Sequence, residues 1–313
     1  MTKKNQQYNE YKIVIAGLDN AGKTSSLIAL RQKYNFYEKI KNLKPTIKVD
    51  YSSFNFLGNT FFFWDMGGQE KYREIYIKDP IYFSETDYLY FIIDIQDELK
   101  FEEASKYLHT ILDIYRDLNY QNEVIICFDK YDPKFKNDKE FIDRTDMLKN
   151  LILKQNRDII FKFFNMSYFD IASISKAFSY SLNKFLNLEK LNNKMEEIVE
   201  NFSCNHVILY TNTGLIISDY YKEVMDSRDF DEIISSKISD HLEFFQRLND
   251  DKVNIDERLT FSKDNAEYVK KYSLNINNDF YSFYLGINTH SEMINKIKNF
   301  LEELQKELEN CFQ

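Results

Sequence analysis

Residues 17–24, with the sequence GLDNAGKT, constrain the fold of this 313-residue chain more than any other segment. The apolar residues 11–16 before them predict a buried strand, and residues 25–30 predict the first turns of a helix. The spacing G-x-x-x-x-G-K-[ST] between a strand and a helix is typical of a phosphate-binding loop. Such a loop wraps an anion with successive backbone N–H groups. We therefore expect Lys23 to contact the β- and γ-phosphates of a nucleotide and Thr24 to ligate Mg²⁺.

A second strand end predicts the other half of a γ-phosphate site. Residues 47–56 and 60–64 predict two strands joined by a turn, and the second strand leads into the sequence DMGGQ. In this D-x-x-G motif, Asp65 can hold Mg²⁺ through a water, and the amide of Gly68 can donate to the γ-phosphate. Gln69 follows directly and can orient an attacking water.

Strands that alternate with helices through the first half predict a parallel, doubly wound α/β sheet. The further predicted strands are residues 88–94, 124–128 and 159–164, and the predicted helices are residues 101–118, a segment around 147–152, and 171–186. In such sheets ligands bind at the carboxyl ends of the strands, which is where most of the candidate segments fall.

Composition limits the classes of function and the compartment. The net charge of −9 argues against a general nucleic-acid binder, which needs a basic face. Cys127, Cys204 and Cys311 form no ligand cluster, which fits a reducing cytosol. Thr2 stands where myristoylation requires glycine, and Cys311 does not lie in a prenylation box. We expect no direct lipid anchor and a cytoplasmic protein, for which any membrane contact would be through partners.

The second half predicts a smaller α+β domain. Residues 182–202 predict one continuous connecting helix, and a hairpin whose turn ends at Gly214 follows it. The later predicted elements are a helix at 231–248, strands near 252–261, 267–274 and 280–287, and a closing helix at 291–312. The predicted order is therefore α-β-β-α-β-β-β-α.

Five motifs together carry a family resemblance. Residues 17–25 and 64–69 resemble the Arf branch of the Ras-superfamily small GTPases, and the sequence KPT at 44–46 resembles its first switch. The sequence DKYD at 129–132 resembles the guanine-reading N-K-x-D box, and MSY at 166–168 resembles the S-A-K-type box. The resemblance implies a P-loop small-GTPase domain with a mostly parallel doubly wound sheet.

The second half is similar in element order to roadblock/longin-type domains. Rag/Gtr GTPases join a GTPase domain to such a domain, so both halves resemble one group of relatives. We therefore expect a small-GTPase domain at residues 1–187 and a roadblock/longin-like domain, with its connecting helix, at residues 188–313. The second domain is expected to form a homodimer or a heterodimer.

The resemblance implies a role for individual residues. The implied nucleotide-binding residues are Asp19, Asn20, Ala21, Gly22, Lys23, Thr24, Ser25, Thr46, Gly68, Lys130, Asp132, Ser167 and Tyr168. The implied Mg²⁺ ligands are Thr24, Thr46 and Asp65, and the implied catalytic residues are Gln69 and Lys23. Asp132 would accept hydrogen bonds from guanine N1 and N2, Lys130 would stack along the base, and the amide of Tyr168 would donate to O6.

One position departs from the family pattern, because Asp129 stands where the family has asparagine. An ionised aspartate cannot donate to guanine N7, so that contact would be lost or mediated by water. Asp132 preserves a preference for guanine.

The resemblance implies a regulatory GTPase that binds GTP or GDP with Mg²⁺ and hydrolyses GTP slowly unless a partner assists. Switch I would lie around Thr46 and switch II at residues 65–73, and activating and exchange proteins are the expected partners. The alternative is a dimeric scaffold that a guanine nucleotide stabilises with little turnover. A P-loop ATPase or kinase is disfavoured, because the segments at 129–132 and 166–168 would then have no role.

Overall fold

The computed structural model describes residues 9–31, 43–57, 59–186, 188–212, 214–222, 227–276 and 279–311. The chain divides into two compact units, residues 1–174 and 175–313. This division falls inside the helix predicted at residues 171–186, which the predicted domain boundary after residue 187 places wholly in the first domain. Thr2, Gly58 in the turn predicted between residues 56 and 60, and residues 277–278 between the last two predicted strands lie outside the described residues.

The first unit is built on a six-stranded sheet. Its strands are β1 (Glu10–Gly17), β2 (Val49–Phe56), β3 (Asn59–Met66), β4 (Tyr88–Asp94), β5 (Val124–Asp129) and β6 (Phe161–Asn165). Its described helices are α1 (Lys23–Arg31), α2 (Glu70–Lys78), α3 (Phe101–Asp117), α4 (Lys139–Gln155) and the start of α5 (Ile171–Leu186), with single turns of 3₁₀-helix at Pro80–Tyr82, Glu98–Lys100 and Pro133–Phe135.

The strand order is β2-β3-β1-β4-β5-β6, and all neighbouring pairs are parallel except β2 with β3. The predicted, mostly parallel sheet is confirmed. β5 is buried along its whole length, as its apolar residues 124–128 predict, and Asp129 at its end is buried with them. Because β1, β3, β4, β5 and β6 run in one direction, the loops that follow them emerge at one edge of the sheet. Those loops carry the candidate site residues except Thr46, which lies just before the antiparallel strand β2.

Helix α3 shows why the core forms on this sheet. Its apolar side chains recur every three or four residues, and Ala104, Leu108 and Ile111 are at most 2% exposed. They belong to the same buried cluster as Phe91 of β4 and Ile126 of β5. This packing holds the sheet rigid beneath the loops.

The second unit holds a five-stranded antiparallel sheet. Its elements are the rest of α5, α6 (Glu189–Phe202), β7 (His206–Thr211), β8 (Ile216–Tyr221), α7 (Ser227–Asp250), β9 (Glu257–Phe261), β10 (Asn265–Ile276), β11 (Asp279–His290), a 3₁₀ turn at Ser291–Met293 and α8 (Ile294–Cys311). The strand order is β8-β7-β11-β10-β9. The predicted sequence of helices and strands is confirmed. Among the described helices, none combines the length and the apolar character that crossing a bilayer requires.

The prediction of one continuous helix at residues 182–202 is wrong. Helix α5 ends at Leu186 and α6 begins at Glu189. Leu188 between them has φ −80° and ψ 22°, so its backbone departs from helical geometry. The Leu188 side chain is 4% exposed. The sequence keeps a helical periodicity on both sides of Leu188, so it did not predict a turn there.

Candidate functional site

A cavity of about 530 Å³ opens at the carboxyl edge of the parallel strands. The residues that line it are Asp19, Asn20, Ala21, Gly22, Lys23, Thr24, Ser25, Leu43, Lys44, Pro45, Thr46, Gly68, Gln69, Gln96, Asp129, Lys130, Asp132 and Tyr168. All the sequence-predicted nucleotide and catalytic residues are among them except Ser167. Asp65 and Ser167 lie behind the wall and bond to residues that form it.

The side chain of Lys23 is folded against the loop that it follows. Its Nζ donates to the carbonyl oxygens of Gly17 at 3.1 Å and Leu18 at 2.6 Å. Burial lowers the pKa of Lys23 to about 8, and the charges of Asp65 and Asp19 partly offset that effect. An anion in the cavity would favour the charged ammonium, as a phosphate-binding role requires.

Two glycines allow the close approach of neighbouring segments. Gly22 has φ +98°, and a Cβ there would lie 1.6 Å from Oδ2 of Asp129. A Cβ on Gly68 would lie 2.3 Å from the carbonyl carbon of Leu18. Both contacts are far shorter than real Cβ contacts, so a larger residue would displace the loops from each other.

The three predicted metal ligands meet at one point. The Thr24 hydroxyl donates to Oδ2 of Asp65 at 2.5 Å and lies 2.9 Å from the Thr46 hydroxyl. In the part of the chain that the structure describes, no group of three His, Cys, Asp or Glu side chains could hold a metal. Two hydroxyls and one carboxylate are all oxygen donors, which fits Mg²⁺ that also keeps water and phosphate ligands. The set also connects the segment of Thr46 to the phosphate loop.

Gln69 is the N-cap residue of helix α2 and lies at the cavity wall. Its carbonyl accepts the N–H groups of Tyr72 at 2.9 Å and Arg73 at 3.1 Å. Arg73 turns away from the cavity: its Nε donates to the Gly68 carbonyl at 2.9 Å, and its guanidinium pairs with Glu103 of α3. Arg73 therefore supports the loop of Gly68 from behind and does not line the cavity.

At the other end of the cavity, a hydrogen-bond network fixes Asp132. Its Oδ1 accepts the Ser167 hydroxyl at 2.7 Å, and its Oδ2 accepts Nε2 of Gln96 at 3.2 Å. Gln96 also donates to the Lys130 carbonyl at 2.7 Å. The Lys130 ammonium pairs with Oδ2 of Asp94 at 2.6 Å. The carboxylate of Asp132 is thus held in place and can accept paired N–H donors from a base.

Asp129 lies between the two ends of the cavity and is 1% exposed. Burial raises the pKa of Asp129 to about 7, and the charges of Asp94 and Asp132 act in the same direction. The backbone N–H and the ammonium of Lys130 oppose that shift. The neutral acid is therefore well populated near neutral pH.

The roles of Gln96, Asp94 and Leu43 were not predicted from the sequence. Asp94 ends a buried central strand, and Gln96 follows two residues later. Polar residues directly after a parallel strand are a usable signal, because ligands bind at that edge. Leu43 offered no comparable signal. Nζ of Lys100 also lies 3.1 Å from Oδ1 of Asp19 at the cavity rim. This contact was not predicted from the sequence.

Comparison with known proteins gives a family for this chain. The model of the ADP-ribosylation factor family matches residues 1–201. ADP-ribosylation factor-like protein 5 of Caenorhabditis elegans is 35% identical over 104 residues, which is 33% of this chain and 53% of that protein. ADP-ribosylation factor-like protein 2 of Drosophila melanogaster is 32% identical over 112 residues, which is 36% of this chain and 56% of that protein.

The matched segment spans about half the length of these curated relatives. Among solved structures, the Arl6 small GTPase from Trypanosoma brucei, with the bound nucleotide analogue GppNp, is 18% identical with a TM-score of 0.45. That alignment covers 56% of this chain and 97% of the other. Because the family model matches well over half of the sequence, the chain belongs to the ADP-ribosylation factor family.

Proposed function

We propose that this protein is a regulatory GTPase that binds GTP and GDP with Mg²⁺ and hydrolyses GTP to GDP and phosphate. The observation that carries the proposal is the convergence on one cavity of a phosphate loop, an oxygen ligand set and a fixed Asp132. The protein does little covalent chemistry in this reaction. It positions the terminal phosphate and offsets the charge that builds up on it.

In this proposal the amides of the phosphate loop and Lys23 hold the phosphates. Thr24 and Thr46 would ligate Mg²⁺, with Asp65 behind them, and the ion would neutralise charge on the phosphate oxygens. Gln69 orients the attacking water from the start of α2. The paired N–H groups of guanine would donate to the carboxylate of Asp132. Adenine has no such pair of donors.

The switch would act through Thr46 and Gly68. The Thr46 hydroxyl lies 2.9 Å from the Thr24 hydroxyl, and Gly68 packs on the backbone of the phosphate loop. A γ-phosphate would hold both segments against the loop, and its release would free them. Partners that sense these two segments would then distinguish GTP from GDP.

Phosphate release tests the catalytic part of the proposal. With Mg²⁺ and excess GTP, we expect slow release from the purified protein and release about tenfold or more slower from Gln69→Leu. The matched control is Gln121→Leu, at an exposed position outside the cavity lining. Equal release from the wild type and Gln69→Leu would contradict the role of Gln69.

Nucleotide competition tests the base-reading part. GTP should displace a bound fluorescent GDP analogue, whereas ATP at the same concentration should not, because adenine lacks the paired donors that Asp132 accepts. Displacement by ATP would remove Asp132 from its assigned role.

The second candidate function is a scaffold whose bound guanine nucleotide is structural and turns over rarely. Asp129 favours it, because aspartate stands where the family has asparagine. GDP binding without phosphate release, even with candidate activating partners, would support the scaffold over the GTPase.

For the second half of the chain, we propose a roadblock/longin-like domain at residues 188–313 after a GTPase domain at residues 1–187. The order of helices and strands supports the proposal, and the combination is similar to Rag/Gtr GTPases. This domain would pair with a second copy or with a related chain. The expected setting is the cytoplasm, with recruitment to membranes through partners and regulation by activating and exchange proteins.

A further inference from the structure

Asp129 is the most deeply buried carboxyl group on the cavity wall. It ends β5 and is 1% exposed, and its Oδ1 has no hydrogen-bond partner. On one side it abuts Gly22 of the phosphate loop, where a Cβ would lie 1.6 Å from Oδ2. A polar atom that is buried, unsatisfied and on the wall of a binding cavity is available to a ligand.

Burial disfavours a carboxylate at Asp129, and the charges of Asp94 and Asp132 act in the same direction, against the backbone N–H and the ammonium of Lys130. The Lys130 ammonium, which favours the charged form of Asp129, is itself paired with Asp94 of β4 at 2.6 Å. Asp132 adds a further negative charge on the same loop. Gly22 of the phosphate loop, which abuts Asp129, carries no charge. Burial raises the pKa of the neighbouring Cys127 thiol, so that thiol is neutral at physiological pH. No salt bridge to Asp129 exists among the described residues.

We propose that Asp129 is a neutral acid that donates a hydrogen bond to an acceptor on the five-membered-ring edge of the purine, so that guanine nucleotide binds more weakly as the pH rises. The inference rests on the proposed function, since it presumes a guanine nucleotide in this cavity. Purine N7 is an acceptor that a protonated carboxyl can satisfy. The residue that departs from the family pattern thus performs a donor role, but only in its protonated form.

The direction of the pH dependence follows from the protonation state. A nucleotide that accepts a hydrogen bond from Asp129 binds the neutral acid more tightly than the carboxylate. Because the pKa of Asp129 is about 7, that form is the majority at pH 6.0 and a small minority at pH 8.5. At the higher pH a buried carboxylate would also face the lone pair of N7, which adds repulsion.

The test compares the dissociation constant of a fluorescent GDP analogue with Mg²⁺ at pH 6.0 and 8.5 for the full chain and for Asp129→Asn. Asparagine has nearly the same shape and donates at every pH. The ratio of the two dissociation constants cancels the titration of the nucleotide itself. We expect the wild type to lose affinity relative to Asp129→Asn by about tenfold or more between the two pH values.

Two further variants separate donation from other effects. Asp146→Asn makes the same chemical change at an exposed site on α4 and should follow the wild type at both pH values. Asp129→Ala removes the donor, so it should bind more weakly than the wild type at pH 6.0 and should not lose affinity relative to Asp129→Asn as the pH rises. Binding by Asp129→Ala as tight as by Asp129→Asn at pH 6.0 would overturn the donor role.

The thermal midpoint of the nucleotide-free chain gives a second readout. Folding raises the pKa of this acid. At a pH between the unfolded and the folded pKa, the folded state keeps the proton and the unfolded state loses it. The stability of the wild type relative to Asp129→Asn should therefore fall from pH 4 to pH 7 and level off above. A ratio of dissociation constants that does not change with pH would overturn this inference alone. Failure of every variant to bind GDP at any pH would overturn the proposed function as well.

Discussion

Asp19 and Lys100 show how one charge pair at the cavity rim can affect an anionic ligand. Nζ of Lys100 lies 3.1 Å from Oδ1 of Asp19 and 3.3 Å from its carbonyl oxygen. Both side chains are partly exposed, so the pair itself stabilises the fold by no more than about 1 kcal/mol. Without Lys100 an uncompensated carboxylate would remain on the phosphate loop and would repel a bound phosphate.

We predict that Lys100→Gln speeds the release of fluorescent GDP by about 1.5- to 5-fold, the factor that corresponds to an exposed charge pair. The difference should shrink in high salt, because salt screens exposed charges. Stopped-flow release with excess GTP measures it. The matched control is Lys106→Gln, which breaks an exposed pair with Glu102 on the same helix. Equal acceleration by both variants would contradict a specific role for Lys100.

The strands of the second unit differ in how much of their surface is covered. β7 is buried along its whole length, whereas β9 lies at the edge of the sheet among the described strands. Leu259 and Phe261 of β9 are 36% and 63% exposed. An edge strand offers unpaired backbone groups, and apolar side chains on it favour association with another chain.

If the second unit forms the proposed dimer through β9, Phe261→Lys should shift the full chain toward the monomer, because a buried cation would oppose the contact. Sedimentation or mass photometry across a concentration series measures the shift. Phe280→Lys is the matched control, since Phe280 is 82% exposed but lies on β11, away from that edge. A dimer that tolerates Phe261→Lys would exclude this edge as the interface.

At the scale of the whole molecule, every residue that lines the cavity belongs to the first compact unit. A ligand stabilises only those parts of a protein whose unfolding destroys its site. The two units also have separate sheets, one mostly parallel and one antiparallel. If each unit unfolds on its own, nucleotide binding should therefore stabilise the first unit and leave the stability of the second unchanged.

Native-state hydrogen exchange tests this expectation. With GDP at one hundred times its dissociation constant, the stabilisation is about 2.7 kcal/mol, so the slowest amides of β1, β4 and β5 should exchange about one hundred times more slowly. Amides of β7, β10 and β11 should keep their rates. Addition of ATP instead of GDP is the control. Equal slowing in both sheets would show that the chain unfolds as one cooperative unit.

Most of the fold and of the site could be predicted because their signals are local. The spacing of Gly17, Gly22 and Lys23 acts within one loop, and apolar runs such as Tyr88–Asp94 report burial directly. The predicted residues line one cavity because parallel strands deliver their following loops to one edge. The break at Leu188 was missed because helical periodicity on both sides carried no sign of a turn.

By itself the sequence determined the two sheets, the order of their elements and the identity of the phosphate loop, since each depends on short-range periodicity and spacing. Only the tertiary structure decided which distant side chains meet. Lys100 reaches Asp19 over a separation of 81 residues, and Gln96 reaches Asp132, because β4 lies between β1 and β5. The pKa of Asp129 also depends on the tertiary structure. Burial and neighbouring charges set it, and neither can be read from the residues that are close to it in the sequence.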